Sequence, residues 1–157
     1  MRIVFVCSGN ICRSPLAQAM LARRLAAHGF HDIEVASFGL VAAGGEEPIA
    51  ATLEAASRTG LDLAAHRARR FDAADLCPGD HVFVMEEAQR KDVLALTDID
   101  PARVQLLGRL APGFPDEIAD PGGGTEADFD ACVAHLGTAV GALFTQLLEP
   151  GMAGPNR

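Results

Sequence analysis

Neither tryptophan nor tyrosine occurs among the 157 residues, and the aromatic content is eight phenylalanines. No tyrosine or tryptophan can therefore wall a planar ring here, and phenylalanine is the one large aromatic left for it. Positive charge is scarce as well, with 13 Lys and Arg against 21 Asp and Glu and a net charge of −8. That balance disfavours nucleic acid and anionic membrane as partners. No apolar run is read as approaching the length of a membrane span, so no membrane partner is expected. Met1-Arg2 leads straight into a β-like stretch, without the apolar region or small-residue cleavage site of a signal peptide. The four cysteines are scattered and suggest no disulfide framework, which points to reduced thiols and a cytoplasmic setting. Nothing in the pattern marks a dedicated interface, so a monomer is expected.

Against these absences stands a hydrophobic fraction of 49%, enough for one domain with its own core. Strand-like apolar runs recur at Ile3–Val6, Ile33–Ala36, His81–Met85 and Val104–Leu107. Helical patterns lie between and after them, at Pro15–Ala27, Ile49–Thr59, Glu86–Leu96 and Thr125–Leu148. This alternation, with strands apolar along nearly their whole length, predicts an α/β fold: a four-stranded parallel sheet with helices on both faces. The domain is placed at residues 1–149, and the Pro- and Gly-containing segment 150–157 is read as a flexible tail. Val41–Pro48 and Leu110–Gly124 read as loops.

The most informative segment is Cys7-Ser8-Gly9-Asn10-Ile11-Cys12-Arg13-Ser14-Pro15, directly after the first strand. Ser14 is read as a helix N-cap and Pro15 as a first-turn residue, so the helix is expected to begin there. Its free N–H groups would point back into the loop and favour an anion. Gly9 is expected to supply a backbone shape that a Cβ would block, and Asn10 to accept the left-handed region. The amides of residues 8–12 can then turn inward as a nest. Arg13 adds a planar fork able to hold two oxygens of a phosphate. Helix N-termini and cationic neighbours favour thiolates in general, so Cys7 reads as a nucleophile beneath a bound anion. No metal and no cofactor is expected.

Such chemistry needs a proton donor for the leaving oxygen and a base for water. Asp120 precedes Pro121, which pushes it to an extended conformation, and Gly122-Gly123-Gly124 would leave that loop free to move. Asp100-Pro101 offers the same dipeptide but lies before the fourth strand, on the amino side of the sheet. It reads better as a turn. Asp116 and Asp128 read as solvated or capping residues.

The motif resembles that of the low-molecular-weight protein tyrosine phosphatases, and so do further segments in the same order. These are Ser37-Phe38-Gly39, Gly60-Leu61-Asp62 with His66-Arg67-Ala68-Arg69, Val84-Met85-Glu86, and Asp120-Pro121. The resemblance implies hydrolysis of aryl phosphate or phosphotyrosine through a phosphocysteine intermediate, on a phosphorylated protein or a small ester. It implies Cys7, Arg13 and Asp120 as the catalytic set. Ser8, Gly9, Asn10, Ile11, Cys12 and Ser14 would line the substrate's phosphate. Ser14 would also hydrogen-bond the sulfur, and Asn10, Ser37 and His66 would brace the loop. It further implies a reversible Cys7–Cys12 disulfide as a redox guard, with Cys77 and Cys132 left as structural residues.

Two features depart from that family's pattern. Glycines follow the Asp-Pro pair where aromatics are usual, and Ala43 stands near the place of an expected tryptophan. A branched apolar residue at Ile11 goes with tyrosine preference in the family, whereas members acting on phosphoarginine tend to carry threonine there. A phosphoarginine phosphatase, a thiol-dependent arsenate reductase of the same fold, and a non-catalytic anion-binding module are the alternatives. For the reductase, the mid-chain segment offers only Cys77 and no companion cysteine.

Overall fold

In the computed structural model, which describes residues 1–149, the first apolar run forms β1 (Arg2–Cys7). It is joined by β2 (Glu34–Gly39), β3 (His81–Val84) and β4 (Val104–Leu106) in the order β2-β1-β3-β4. Every pairing is parallel, with Cys7 opposite Gly39 and Val6 opposite Val84. The helices are α1 (Arg13–Ala27), α2 (Ala50–Arg58), α3 (Glu87–Leu96) and α4 (Glu126–Leu148). All four expected strands and all four expected helices are thus present, with ends displaced by at most three residues. The tail expected over residues 150–157 lies outside the described residues.

Successive side chains of a strand point to opposite faces, and β1 feeds a core on each. Ile3, Phe5 and Cys7 pack with Leu16 and Leu21 of α1, Ala55 of α2 and Leu136 of α4. Val4 and Val6 pack with Val82 and Val84 of β3 and with Val93 of α3 on the other side. Each fully buried side chain of this size contributes about 1.5–3 kcal/mol relative to exposure. Burial on both faces is why the strands read as continuous apolar runs.

Helix α4 is where one expectation fails. Its mean hydropathy of 1.5 makes it long and apolar enough, by length and composition, to cross a membrane. The apolarity is used inside the fold, where Phe129, Leu136, Val140 and Leu143 are buried in the same core as α1. Its start is fixed by a reciprocal capping box: Thr125 Oγ1 accepts from Asp128 N (3.3 Å), and Asp128 Oδ2 accepts from Thr125 N (2.8 Å).

From β1 the chain moves to one side of the sheet for β2 and then crosses to the other for β3. The carboxyl end of β1 is therefore the switch point at which the flanking loops diverge, the place where open α/β sheets bind ligands. The segment Cys7–Arg13 lies there. Asp100 instead accepts from Ala102 N (3.0 Å) in a turn leading into β4, consistent with its reading as a turn residue.

Candidate active site

The loop from Ser8 to Cys12 joins β1 to α1. Its turn is made by Asn10, which sits in the left-handed region with φ 54°. Gly9, expected to be the conformationally demanding residue, is not: a Cβ there would meet only the Ile11 side chain, at 3.4 Å and beyond. The glycine that the loop requires lies across from it on β2. A Cβ on Gly39 would fall 2.8 Å from Asn10 N and 2.8 Å from Gly9 C, so a side chain at 39 would displace the loop.

Helix α1 begins two residues earlier than capping preference suggests. Cys12 is the N-cap, without a side-chain cap, and Ser14 already lies inside the helix. Pro15 then falls on the third helical position, where its missing N–H still costs no bond because the first four amides of a helix lack partners. The Ser14 hydroxyl has been recruited elsewhere. It lies 2.9 Å from Cys7 Sγ and accepts from Asn10 Nδ2 at 2.8 Å. Asn10 N also donates to Cys7 Sγ, at 3.3 Å. The sulfur thus has a hydroxyl and an amide as its polar neighbours.

Asn10 is fully buried and organises the surroundings. Its Nδ2 donates to Ser37 Oγ (2.9 Å) and its Oδ1 accepts from Arg69 N (2.8 Å). Its carbonyl oxygen lies 2.7 Å from His66 Nε2. Ser37 Oγ donates in turn to Gln18 Oε1 (2.6 Å). The segment carrying His66 and Arg69 runs beside the end of β2, held by Gly39 N to Arg69 O (2.8 Å) and Phe71 N to Gly39 O (2.9 Å). Replacing Asn10 by alanine should lower stability by about 2–4 kcal/mol, since three side-chain hydrogen bonds are lost, and with them the donor to the buried Ser14 and Ser37 hydroxyls and the acceptor for Arg69 N. Urea unfolding measures this, and an unchanged midpoint would show the network to be dispensable.

Arg13 is 2% exposed. Its Nη1 donates to Ile118 O at 2.8 Å and lies 3.5 Å from Glu86 Oε1. Its Nη2 lies 3.6 Å from Asp120 Oδ2. One guanidinium thus ties the anion loop, the start of α3 and the loop carrying Asp120. The Asp120 side chain is 57% exposed, and its Oδ1 accepts from Gly122 N at 2.9 Å. The glycines after it, read as a source of mobility, close a hydrogen-bonded turn from Gly124 N to Pro121 O (2.9 Å). Behind this loop, Gly108 lets the chain pass closely, since a Cβ there would fall 2.2 Å from Asp116 O.

Several participants are invisible in the motif. Gln89, buried on α3, donates to Ser8 Oγ at 3.1 Å, while its Oε1 accepts from Met85 N and Glu86 N at 2.9 and 3.0 Å. Its only sequence signal is the Glu86…Gln89 spacing of a capping box. Cys132 on α4, read as structural, is buried in the same core as Cys12. The Cys132 thiol is the chief cause holding the Cys12 thiol below its ordinary value, with burial opposing it. Cys12, reinforced by burial, pushes the Cys132 thiol up. Cys77 is exposed and lies 4.0 Å from Arg2 Nη2, at the opposite end of β1 from Cys7. In the segment carrying His66, Arg67 pairs with Glu47 at 3.2 Å and Arg69 stacks over Phe38 at 4.5 Å.

A sulfur, a buried guanidinium, the amino end of a helix and a carboxylate are therefore gathered around the loop that follows β1. Such a set has the chemistry to hold an oxyanion, attack it and exchange a proton with it. Known proteins resemble this chain along most of its length. A Streptomyces coelicolor low molecular weight protein-tyrosine-phosphatase is 31% identical over 157 residues, covering 94% of each chain. A protein-arginine-phosphatase from Geobacillus stearothermophilus is 30% identical over 146 residues, covering 93% of this chain and 95% of that one. Among solved structures, the tyrosine phosphatase Wzb from Escherichia coli K30 in complex with sulphate superposes with a TM-score of 0.82 at 27% identity, covering 93% of this chain and 97% of the other. The family described as low molecular weight phosphotyrosine protein phosphatase matches residues 2–151, and the chain belongs to that family of hydrolases.

Proposed function

We propose that this protein hydrolyses phosphate monoesters of phenols, phosphotyrosine included, with Cys7 as nucleophile. The observation that carries this is the meeting, at Arg13, of the loop above Cys7 Sγ and the carboxylate of Asp120, 3.6 Å from the guanidinium. Arg13 and the amides of residues 8–14 hold the equatorial oxygens of the phosphoryl group, whose charge is spread in the transition state. Cys7 Sγ forms a bond to phosphorus as the ester P–O bond breaks, and Asp120 gives its proton to the departing phenol oxygen. Asp120, now a carboxylate, takes a proton from water as that water attacks phosphorus. The S–P bond breaks and inorganic phosphate leaves. The Ser14 hydroxyl, 2.9 Å from the sulfur, stabilises the thiolate as it departs. The protein works as a monomer in the cytoplasm on this reading, where its four free cysteines stay reduced.

Selectivity is proposed to be low. The Asp120-Pro121 pair is followed by glycines, and the nearby aromatic, Phe114, is stacked on His135 with centroids 4.7 Å apart. A ring bound at the crevice gains little from such a rim. Ile11 leaves phosphoarginine as the weaker substrate, and the exposed, distant Cys77 offers no second thiol for an arsenate adduct. A substrate panel in the presence of a chelator tests this. Small aryl phosphates should turn over without metal, with phosphoarginine poorer in kcat/KM by about tenfold or more. KM for phosphotyrosyl peptides should be no lower than for the small esters. A preference for phosphoarginine, or tight KM values confined to phosphotyrosyl peptides, would contradict the assignment.

A further inference from the structure

Building on the hydrolysis proposed for Cys7, we infer that Gln89 is a positioning residue of the phosphate loop. It fixes the Ser8 hydroxyl as a donor to the bound phosphoryl group and, through Glu86, steadies Arg13 at the other end of the loop. Gln89 is 3% exposed. Its Oε1 accepts from two backbone amides where β3 gives way to α3, Met85 N at 2.9 Å and Glu86 N at 3.0 Å. Its Nε2 donates to Ser8 Oγ at 3.1 Å and to Glu86 Oε2 at 3.2 Å. A primary amide offers two hydrogens and two lone pairs, and all four are in use here.

That saturation sets which way the amide faces. Turned over, its NH₂ group would meet the two backbone N–H donors, losing both bonds and leaving those donors unpaired in the interior. Ser8 Oγ therefore accepts from Gln89, because the amide nitrogen has no lone pair to offer. A hydroxyl carries one hydrogen, and at Ser8 it is left over: among the described residues this oxygen makes no other hydrogen bond. Ser8 is half-buried and directly follows Cys7, so that hydrogen is open to an oxygen of a phosphoryl group held above the sulfur. A hydrogen bond to such a charged oxygen is among the stronger kinds. The second branch reaches Arg13, since Glu86 Oε1 lies 3.5 Å from Arg13 Nη1. One buried side chain thus touches the residue after the nucleophile and the carboxylate that faces the guanidinium.

Calorimetric titration of the full chain with inorganic phosphate reads the grip on the anion without needing turnover. Threonine and valine have nearly the same shape, so Ser8→Thr and Ser8→Val isolate the hydroxyl. Ser8→Thr should bind phosphate within about threefold of wild type, and Ser8→Val about tenfold more weakly or worse, the usual scale of a hydrogen bond to a charged group. Gln89→Met should weaken binding too, and in its background Ser8→Val should cost no more than about a further threefold. The same ranking is expected in kcat/KM for a small aryl phosphate. Equal affinities for the threonine and valine variants, or the same loss from Ser8→Val in both backgrounds, overturn the proposal. A side chain that only stabilised the fold would lower the urea midpoint without this coupling. Should Gln89→Met fold poorly, Gln89→Glu poses the same question. Its carboxylate still accepts from both backbone amides but draws the Ser8 hydrogen to itself, so Ser8→Val should again cost about threefold or less. The expected pattern of phosphate binding in a chain that turns over no aryl phosphate would refute the hydrolysis and leave the role of Gln89 standing.

Discussion

Exchanging Cys7 for serine should abolish turnover while leaving phosphate binding largely intact. A serine hydroxyl is a weak nucleophile at neutral pH unless a base activates it. The polar neighbours of this position are Ser14 Oγ and Asn10 N, and neither is a base able to remove the proton. Loss of a nucleophile acts on the scale of about 10⁴-fold or more. The groups that hold the anion are untouched by the change, because Arg13 keeps its place through Ile118 O and the amide ends of α1 remain. Chromogenic aryl phosphate turnover and calorimetric titration with inorganic phosphate read the two properties separately. Normal turnover by the variant would dismiss Cys7 as the nucleophile. Loss of phosphate binding together with turnover would mean that the sulfur shapes the loop rather than reacting.

Asp120→Asn should slow the reaction by about 10²–10⁴-fold, the usual contribution of a positioned general acid. The substitution keeps an acceptor oxygen for Gly122 N, so the turn at Asp120 survives and only the transferable proton is lost. Its signature is a dependence on leaving group. Esters of acidic nitrophenols, which depart without a proton, should suffer least, and esters of ordinary phenols most. Asp100→Asn provides the control. That carboxylate caps a turn through Ala102 N, so the change should leave kcat/KM unaltered. A uniform loss across leaving groups, or an equal loss from Asp100→Asn, would assign the acid role elsewhere.

The fold was legible because its causes are local and periodic. Runs such as Ile3–Val6 are apolar throughout because both faces of the sheet are covered, and α4 announces itself by the Thr125…Asp128 cap and a long apolar pattern. Cys7, Arg13 and Asp120 were legible as candidates because the motif sets Cys7 and Arg13 at the two ends of one loop and because proline marks Asp120. Where a local rule met a tertiary demand, the rule lost. Ser14 has the preferences of an N-cap, yet its hydroxyl serves Cys7 and Asn10. Gly9 looked like the strained position, yet Asn10 takes the left-handed conformation and Gly39, thirty residues further on, yields the space. Gln89 and the Ile118 carbonyl reach the site only through strand order and helix packing. No spacing along the chain encodes such contacts, so no motif could have revealed them.

The proposed hydrolysis passes through a bond between phosphorus and the sulfur of Cys7, and that bond can be observed directly. Wild-type protein turning over an aryl phosphate is quenched in acid within one catalytic cycle, digested, and its peptides weighed. Phosphate should appear on residues 3–13, fragmentation should place it on Cys7, and its amount should match a burst of released phenol. Phenol release in full burst with no phosphate on Cys7, or with phosphate on another residue, would contradict the mechanism.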